Sequence, residues 1–158
     1  MILRFPYLEE PLHGPPPPSL PQTAQRRWRP LVPLTISGPT AGSAFFPRAL
    51  LDSGADDTLF PLDVAVQLGV SLLPVTGHAM RWRGQQQPLR YGNVVLELAD
   101  ATGNLLRWPA VIAFTPVNIR YPLLGIAGGL EYLDARFLGK LREVELEPND
   151  AFPSIVPP

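Results

Sequence analysis

Cysteine is absent from the 158 residues, which excludes a disulfide framework, thiol catalysis and thiolate metal sites while leaving the redox compartment undecided. Histidine is almost absent: His13 and His78 are the only two, too few and too far apart in sequence to suggest a zinc site. No stretch reaches the ~20 consecutive apolar residues of a membrane-spanning helix. The opening Met1-Ile2-Leu3-Arg4-Phe5-Pro6-Tyr7-Leu8-Glu9-Glu10 has proline and acids where a secretory apolar segment would run. A soluble, cytoplasmic protein with no membrane partner is the expectation. Neither sign of charge dominates, since 13 basic residues face 14 acidic ones for a formal net charge of −1. No global field then steers the chain toward nucleic acid or acidic surfaces, and no nucleic-acid partner is expected.

Proline is what the chain has in excess. Its 21 prolines argue against a helical fold, because proline interrupts helix interiors, while the 46% hydrophobic content supports a folded core of one-domain size. Pro15 to Pro18 and Pro21 mark Pro11–Gln25 as a surface loop, read as a spacer in preference to a ligand for a proline-binding domain. Arg26-Arg27-Trp28-Arg29 reads as a solvated face covering an apolar edge.

The stretch richest in chemistry is Ala49-Leu50-Leu51-Asp52-Ser53-Gly54-Ala55-Asp56-Asp57-Thr58-Leu59-Phe60-Pro61. Leu31–Gly38 and Ala44–Leu51 alternate as two strands around the turn cluster Pro39–Ser43, and the second delivers Asp52 onto a small-residue turn. An acid at the end of an apolar strand is partly desolvated, which leaves its pKa open to being raised. Asp52 is thus a candidate acid or base, with Ser53 as hydrogen-bonding support and Gly54 permitting a tight turn and close substrate approach. Pro61 then opens a short helix that Gly69 stops. Val75–Leu98 reads as a long hairpin with Arg83-Gly84-Gln85-Gln86 at its tip. Asp100–Asn104 forms a turn, and Leu105–Phe114 a strand with Trp108 and Pro109 at an edge or bulge. Pro122-Leu123-Leu124-Gly125 reads as a buried strand end. Gly129–Leu138 reads as a helix with Leu130, Leu133 and Phe137 on one face, and Leu141–Leu146 as a last strand.

With two leucines in front, Asp52-Ser53-Gly54-Ala55-Asp56-Asp57-Thr58 closely resembles the catalytic loop of the retropepsin-like aspartic proteases, the retroviral proteases and their cellular and bacterial relatives. Leu123-Leu124-Gly125 matches a second family element, two apolar residues and a glycine near the C-terminus. The resemblance spans Leu31 to Leu146 with its pieces in order, and the helix after Pro61 resembles one in bacterial relatives. It implies a mainly β, single-domain acid-protease fold: a closed β-barrel with a flap hairpin and one or two short helices. It also implies peptide or protein substrates, with no cofactor and no metal. Residues 1–30 would form an N-terminal edge segment and proline-rich loop, residues 31–147 the protease domain, and residues 148–158 a mobile proline-rich tail. Asp52 would be catalytic, with Ser53 and Gly54 as loop support. Ala55, Asp56, Asp57, Trp82, Arg83, Gly84 and Leu124 would contact substrate. By position the hairpin is the flap, although it lacks the glycine-rich tip of retroviral flaps; a plain hairpin with an exposed tryptophan is the competing reading. Many members brace the acid after the catalytic Ala with an arginine that follows the late glycine. Here that position is Ile126, so Asp56 needs another partner, for which Arg136 is a candidate. The last strand lies near or in the dimer interface of family members.

Aspartic-protease chemistry needs two carboxyl groups close enough to share a proton. Asp-(Ser/Thr)-Gly occurs once, so a homodimer pairing Asp52 with Asp52 is the form this chemistry requires. Two other readings stay open. One is a non-catalytic dimeric peptide-binding module with the same fold. The other takes Asp52-Ser53-Gly54 through Thr58 as a phosphate loop of the actin and sugar-kinase type, against which stand the short chain and the lack of a second such loop.

Overall fold

The computed structural model describes residues 1–40 and 42–153. The N-terminal strands are β1 (Leu3–Pro6), β2 (Leu8–Pro11), β3 (Arg26–Arg29), β4 (Leu31–Ser37), β5 (Ser43–Leu51) and β6 (Leu59–Pro61), followed by helix α1 (Leu62–Gln67). There follow β7 (Ala79–Trp82), β8 (Gln85–Pro88), β9 (Arg90–Ala99), β10 (Leu105–Thr115), β11 (Leu123–Leu124), β12 (Leu133–Leu138) and β13 (Glu143–Pro148), with a 3₁₀ turn at Leu130–Tyr132. The architecture is mainly β, and β10-β6-β11-β5-β4-β9 close into a barrel.

Period-two burial explains the barrel strands. Gly92, Val94, Leu96 and Leu98 of β9 point inward between more exposed neighbours, as do Leu106, Trp108, Ala110 and Ile112 of β10. From Ile112 to Thr115 every residue of β10 is buried, because β6 joins there in parallel, pairing Ala113 with Leu59 and Thr115 with Pro61. Pro109 falls where β10 pairs with β9 alone, so its missing N–H removes nothing from the second edge. Trp108 lies on the same singly paired stretch, opposite Leu96, yet is fully buried and donates from Nε1 to the Gly128 carbonyl at 3.0 Å.

A second sheet, ordered β1-β13-β12, closes one side. Its Leu3, Phe5, Leu133, Val144 and Leu146 belong to the same core as the barrel residues Val32, Leu96 and Phe114. The N-terminal segment is therefore an edge strand of the main fold. β2 and β3 pair as a hairpin from Leu8 opposite Arg29 to Pro11 opposite Arg26, with the proline-rich stretch as their connection.

Several expectations are corrected. Gly129–Leu138 is not a helix: after the 3₁₀ turn it runs extended as β12 and pairs with β13, leaving Phe137 half exposed. Open backbone on β13 outweighs the helical spacing of Leu130, Leu133 and Phe137. The last strand starts at Glu143 and continues to Pro148. Residues 148–153, expected to be mobile, pack down: Asn149 N–H donates to the Tyr132 carbonyl at 3.1 Å, and Phe152 lies 5.8 Å from the Trp108 ring centre. Pro157 and Pro158 of the expected tail lie outside the described residues. The hairpin is shorter than expected, because Arg90–Ala99 belongs to the barrel and only β7 and β8 pair with each other. Among the described residues no helix is long and apolar enough to cross a membrane.

Candidate active site

The local topology sets the site. β11 lies between β5 and β6, parallel to the first (Leu123 with Leu50, Leu124 with Leu51) and antiparallel to the second (Leu123 with Leu59). The loop joining β5 to β6 must therefore arch over the end of β11. Backbone hydrogen bonds stitch that arch to the turn after β11. Asp52 N–H donates to the Leu124 carbonyl (3.1 Å), Ile126 N–H to Ala55 (2.9 Å), Ala127 N–H to Asp56 (2.8 Å) and Thr58 N–H to Ala127 (2.9 Å). Gly125 is where the two loops touch: a Cβ there would stand 2.2 Å from the Asp57 carbonyl oxygen and 2.9 Å from that of Ala55. The two sequence motifs are thus two halves of one structure.

Within the arch Asp52 is half-buried, Ser53 and Gly54 are exposed, and the Gly54 N–H donates to Asp52 Oδ1 at 3.0 Å. The donor that orients the acid within the chain is thus the Gly54 backbone, where the sequence pointed to Ser53. Further along the arch a cavity of about 300 Å³ opens between this loop and strand β7, walled by Ala55, Asp56, Asp57, Met80, Arg81 and Leu123, with Asp52, Ser53 and Gly54 outside its lining. Asp57 accepts a 3.1 Å hydrogen bond from the Tyr91 hydroxyl. Burial, and then the Asp57 and Asp56 carboxylates, push the Tyr91 phenol up to about 12, so it keeps its proton and goes on donating to Asp57 well into the alkaline range.

The β7–β8 hairpin turns on Arg83-Gly84 alone, since Trp82 pairs with Gln85. Both turn residues have positive φ, 49° and 80°, the geometry of a tight two-residue hairpin turn whose twist matches its strands. Met80 and Trp82 lie on one face of β7 and pack against a satellite cluster of Leu59, Leu89, Ala113 and Ile119. Gln85 and Gln86, expected at the tip, are already in β8.

Of the residues singled out from sequence, Asp52, Ser53, Gly54, Ala55, Asp56 and Asp57 come together on the arch. Trp82 lines a second, smaller cavity beside the first, while Arg83 and Gly84 are exposed at the turn and border neither cavity. Leu124 is fully buried in the core; its neighbour Leu123 reaches the cavity wall. Arg136 pairs with Glu145 at 3.3 Å instead of bracing Asp56. Sequence reasoning missed Met80, Arg81 and Tyr91. Met80 was within reach, because alternation along β7 places it on the face of Trp82; Tyr91 carries no local signal. Among the described residues no group of His, Cys, Asp or Glu is arranged to hold a metal ion. No family model matches the chain, and no curated protein matches it.

Proposed function

We propose that the protein is an aspartic endopeptidase of the retropepsin-like type, working as a homodimer in which the Asp52 carboxyls of two copies meet across a two-fold axis. The observation that carries this reading is the stitched double loop. The arch holds a half-buried Asp52 through the Gly54 N–H, and its next residues, Ala55 to Asp57, share the walls of a cavity of about 300 Å³ with Ala79, Met80 and Arg81 of the hairpin. Two carboxyls brought close enough to share a proton cannot both ionise, so the pair would hold one proton. The ionised carboxyl takes a proton from a water as that water attacks the scissile carbonyl carbon. The protonated one hydrogen-bonds the carbonyl oxygen, and as the tetrahedral intermediate collapses a proton passes to the leaving nitrogen. The hairpin would act as the flap: its wall residues Met80 and Arg81 face Ala55–Asp57 across the cavity, and a lid of this kind excludes water and positions the peptide.

The test is cleavage of a diverse peptide mixture from acidic to neutral pH, read by mass spectrometry, for the wild type and folded Asp52→Asn. The expected loss is at least ~10²-fold, the least that removing a general acid–base group costs. Equal cleavage by the variant would sink the assignment.

One observation favours the second reading, a dimeric module that binds peptides without cutting them. Among the described residues no cation lies within ion-pair distance of Asp56, Arg136 being engaged by Glu145. Its signature is a dimer that retains peptides and leaves them intact.

A further inference from the structure

Glu10 of β2 is fully buried, and its carboxylate gathers a cluster that the reaction above does not use. Arg29 Nη1 lies 3.3 Å and Arg27 Nε 3.8 Å from its Oε2, Arg120 Nη2 lies 3.9 Å from its Oε1, and the Tyr121 hydroxyl donates to the same Oε1. Among the described residues these three arginines pair with no other acid. Three cations around a single anion leave a net positive centre.

That centre faces a cavity. Arg29 and Arg120 line a space of about 170 Å³ whose other walls include Leu50, Trp82, Ile119 and Leu123. Both guanidiniums have partners there: Arg29 donates to Glu10, and the half-exposed Arg120 lies 5.1 Å from the Tyr121 ring centre. The cavity shares Met80 and Leu123 with the larger one, which carries Asp56 and Asp57. An extended segment laid across both meets carboxylates on one side of Met80 and guanidiniums on the other.

Resting on the reading of this groove as a peptide cleft, we propose that the Arg29–Arg120 cavity is a subsite for a carboxylate-bearing side chain of the bound peptide. Glu10 is the positioning residue that aims the two guanidiniums. A glutamate fits the chemistry of the walls, its methylenes against Trp82 and Leu123 and its carboxylate on the planar donor forks. The proline-rich β2–β3 hairpin is then part of the cleft, because β2 carries Glu10 and β3 carries Arg29.

Binding to folded Asp52→Asn protein tests this, since bound peptides stay intact whether or not the wild type cuts. A randomised peptide library is selected on this protein, and each selected peptide is compared with its amide counterpart (Glu→Gln or Asp→Asn) by fluorescence anisotropy. An acid enriched at one position is expected, with affinity falling about tenfold on amidation, the scale of one charge-assisted hydrogen bond. That difference should shrink in Arg120→Gln and vanish in Arg29→Gln/Arg120→Gln. Glu10→Gln separates positioning from net charge: removing an anion alone would strengthen the acid preference, whereas loss of aim weakens it, and weakening is expected. The proposal is overturned if no peptide is retained, if no acid is selected, or if the preference survives the double arginine variant. Acidic peptides bound but left whole by the wild type would sink the protease reading and leave this subsite standing. Cleavage without acid preference would do the reverse.

Discussion

Gly125 sits where two backbone segments meet, and its carbonyl neighbours at Asp57 and Ala55 belong to the arch itself and cannot swing away as a flexible side chain could. Gly125→Ala should therefore destabilise the fold by about 3 kcal/mol, at the upper end of the cost of overpacking, and disturb the Asp52 loop. An unchanged denaturant midpoint would show that the two loops are not packed this way. Thr58, on the same arch, predicts an effect of the opposite sign. It is fully buried, and among the described residues its Oγ1 finds no hydrogen-bond partner. Replacing the hydroxyl with a methyl group removes an unsatisfied polar atom at nearly constant volume. Thr58→Val should raise stability by about 1 kcal/mol, and a clear loss in chemical denaturation would mean that the hydroxyl has a partner in solution.

The turn between β9 and β10 ties the N-terminal segment to the barrel through the Asp100 carboxylate and through Asn104 Nδ2, which donates to the Ile2 carbonyl at 3.3 Å. Asp100 accepts from Thr102 Oγ1 (2.7 Å), Thr102 N–H (2.9 Å), Asn104 N–H (3.0 Å), Asn104 Nδ2 (3.2 Å) and the Arg4 N–H of β1 (3.3 Å). The Thr102 hydroxyl is the largest influence, and with the other donors it outweighs burial and lowers the pKa from 3.8 to about 2. A carboxylate depressed on folding stabilises the protein above its unfolded value, and that contribution is lost as pH falls from about 3.8 through about 2. The melting temperature of the wild type should therefore fall across this window more steeply than that of Asp100→Asn; parallel curves would refute the assignment. This turn was readable from its local chemistry, as were β4, β5 and the Asp52 loop, because alternation and small-residue turns are written in neighbouring residues. β12 was not, since Leu130, Leu133 and Phe137 fit a helix until the open edge of β13 is in place. The length of the hairpin was misjudged for the same reason: Arg90–Ala99 continues the alternation but is claimed by β4 and β10. Tyr91 on Asp57 and the arginines on Glu10 join residues far apart in sequence, and no spacing rule reaches them.

At the scale of the whole molecule, the proposed chemistry asks for a second carboxyl facing Asp52, and the motif that would present one occurs once per chain. The face that would meet another copy carries exposed Ser53 and Gly54, with Ile126 at 41% exposure hydrogen-bonded to the arch. β13, which the resemblance places near or in the interface, is the central strand of its sheet, with both edges already used by β1 and β12. Backbone pairing between copies through this sheet would have to use β1 or β12, and β12 offers the half-exposed Phe137. A shared site makes activity depend on assembly. Specific activity should fall on dilution through the dimer dissociation constant, and activity that stays constant well below it would end the shared-site proposal. Mixing supplies the sharper test. When wild type is equilibrated with an equal amount of Asp52→Asn, random pairing leaves each wild-type chain a wild-type partner only about half the time, so activity per wild-type chain should drop to about half. A self-sufficient chain would keep it all, which separates one carboxyl per active site from two without any knowledge of the natural substrate.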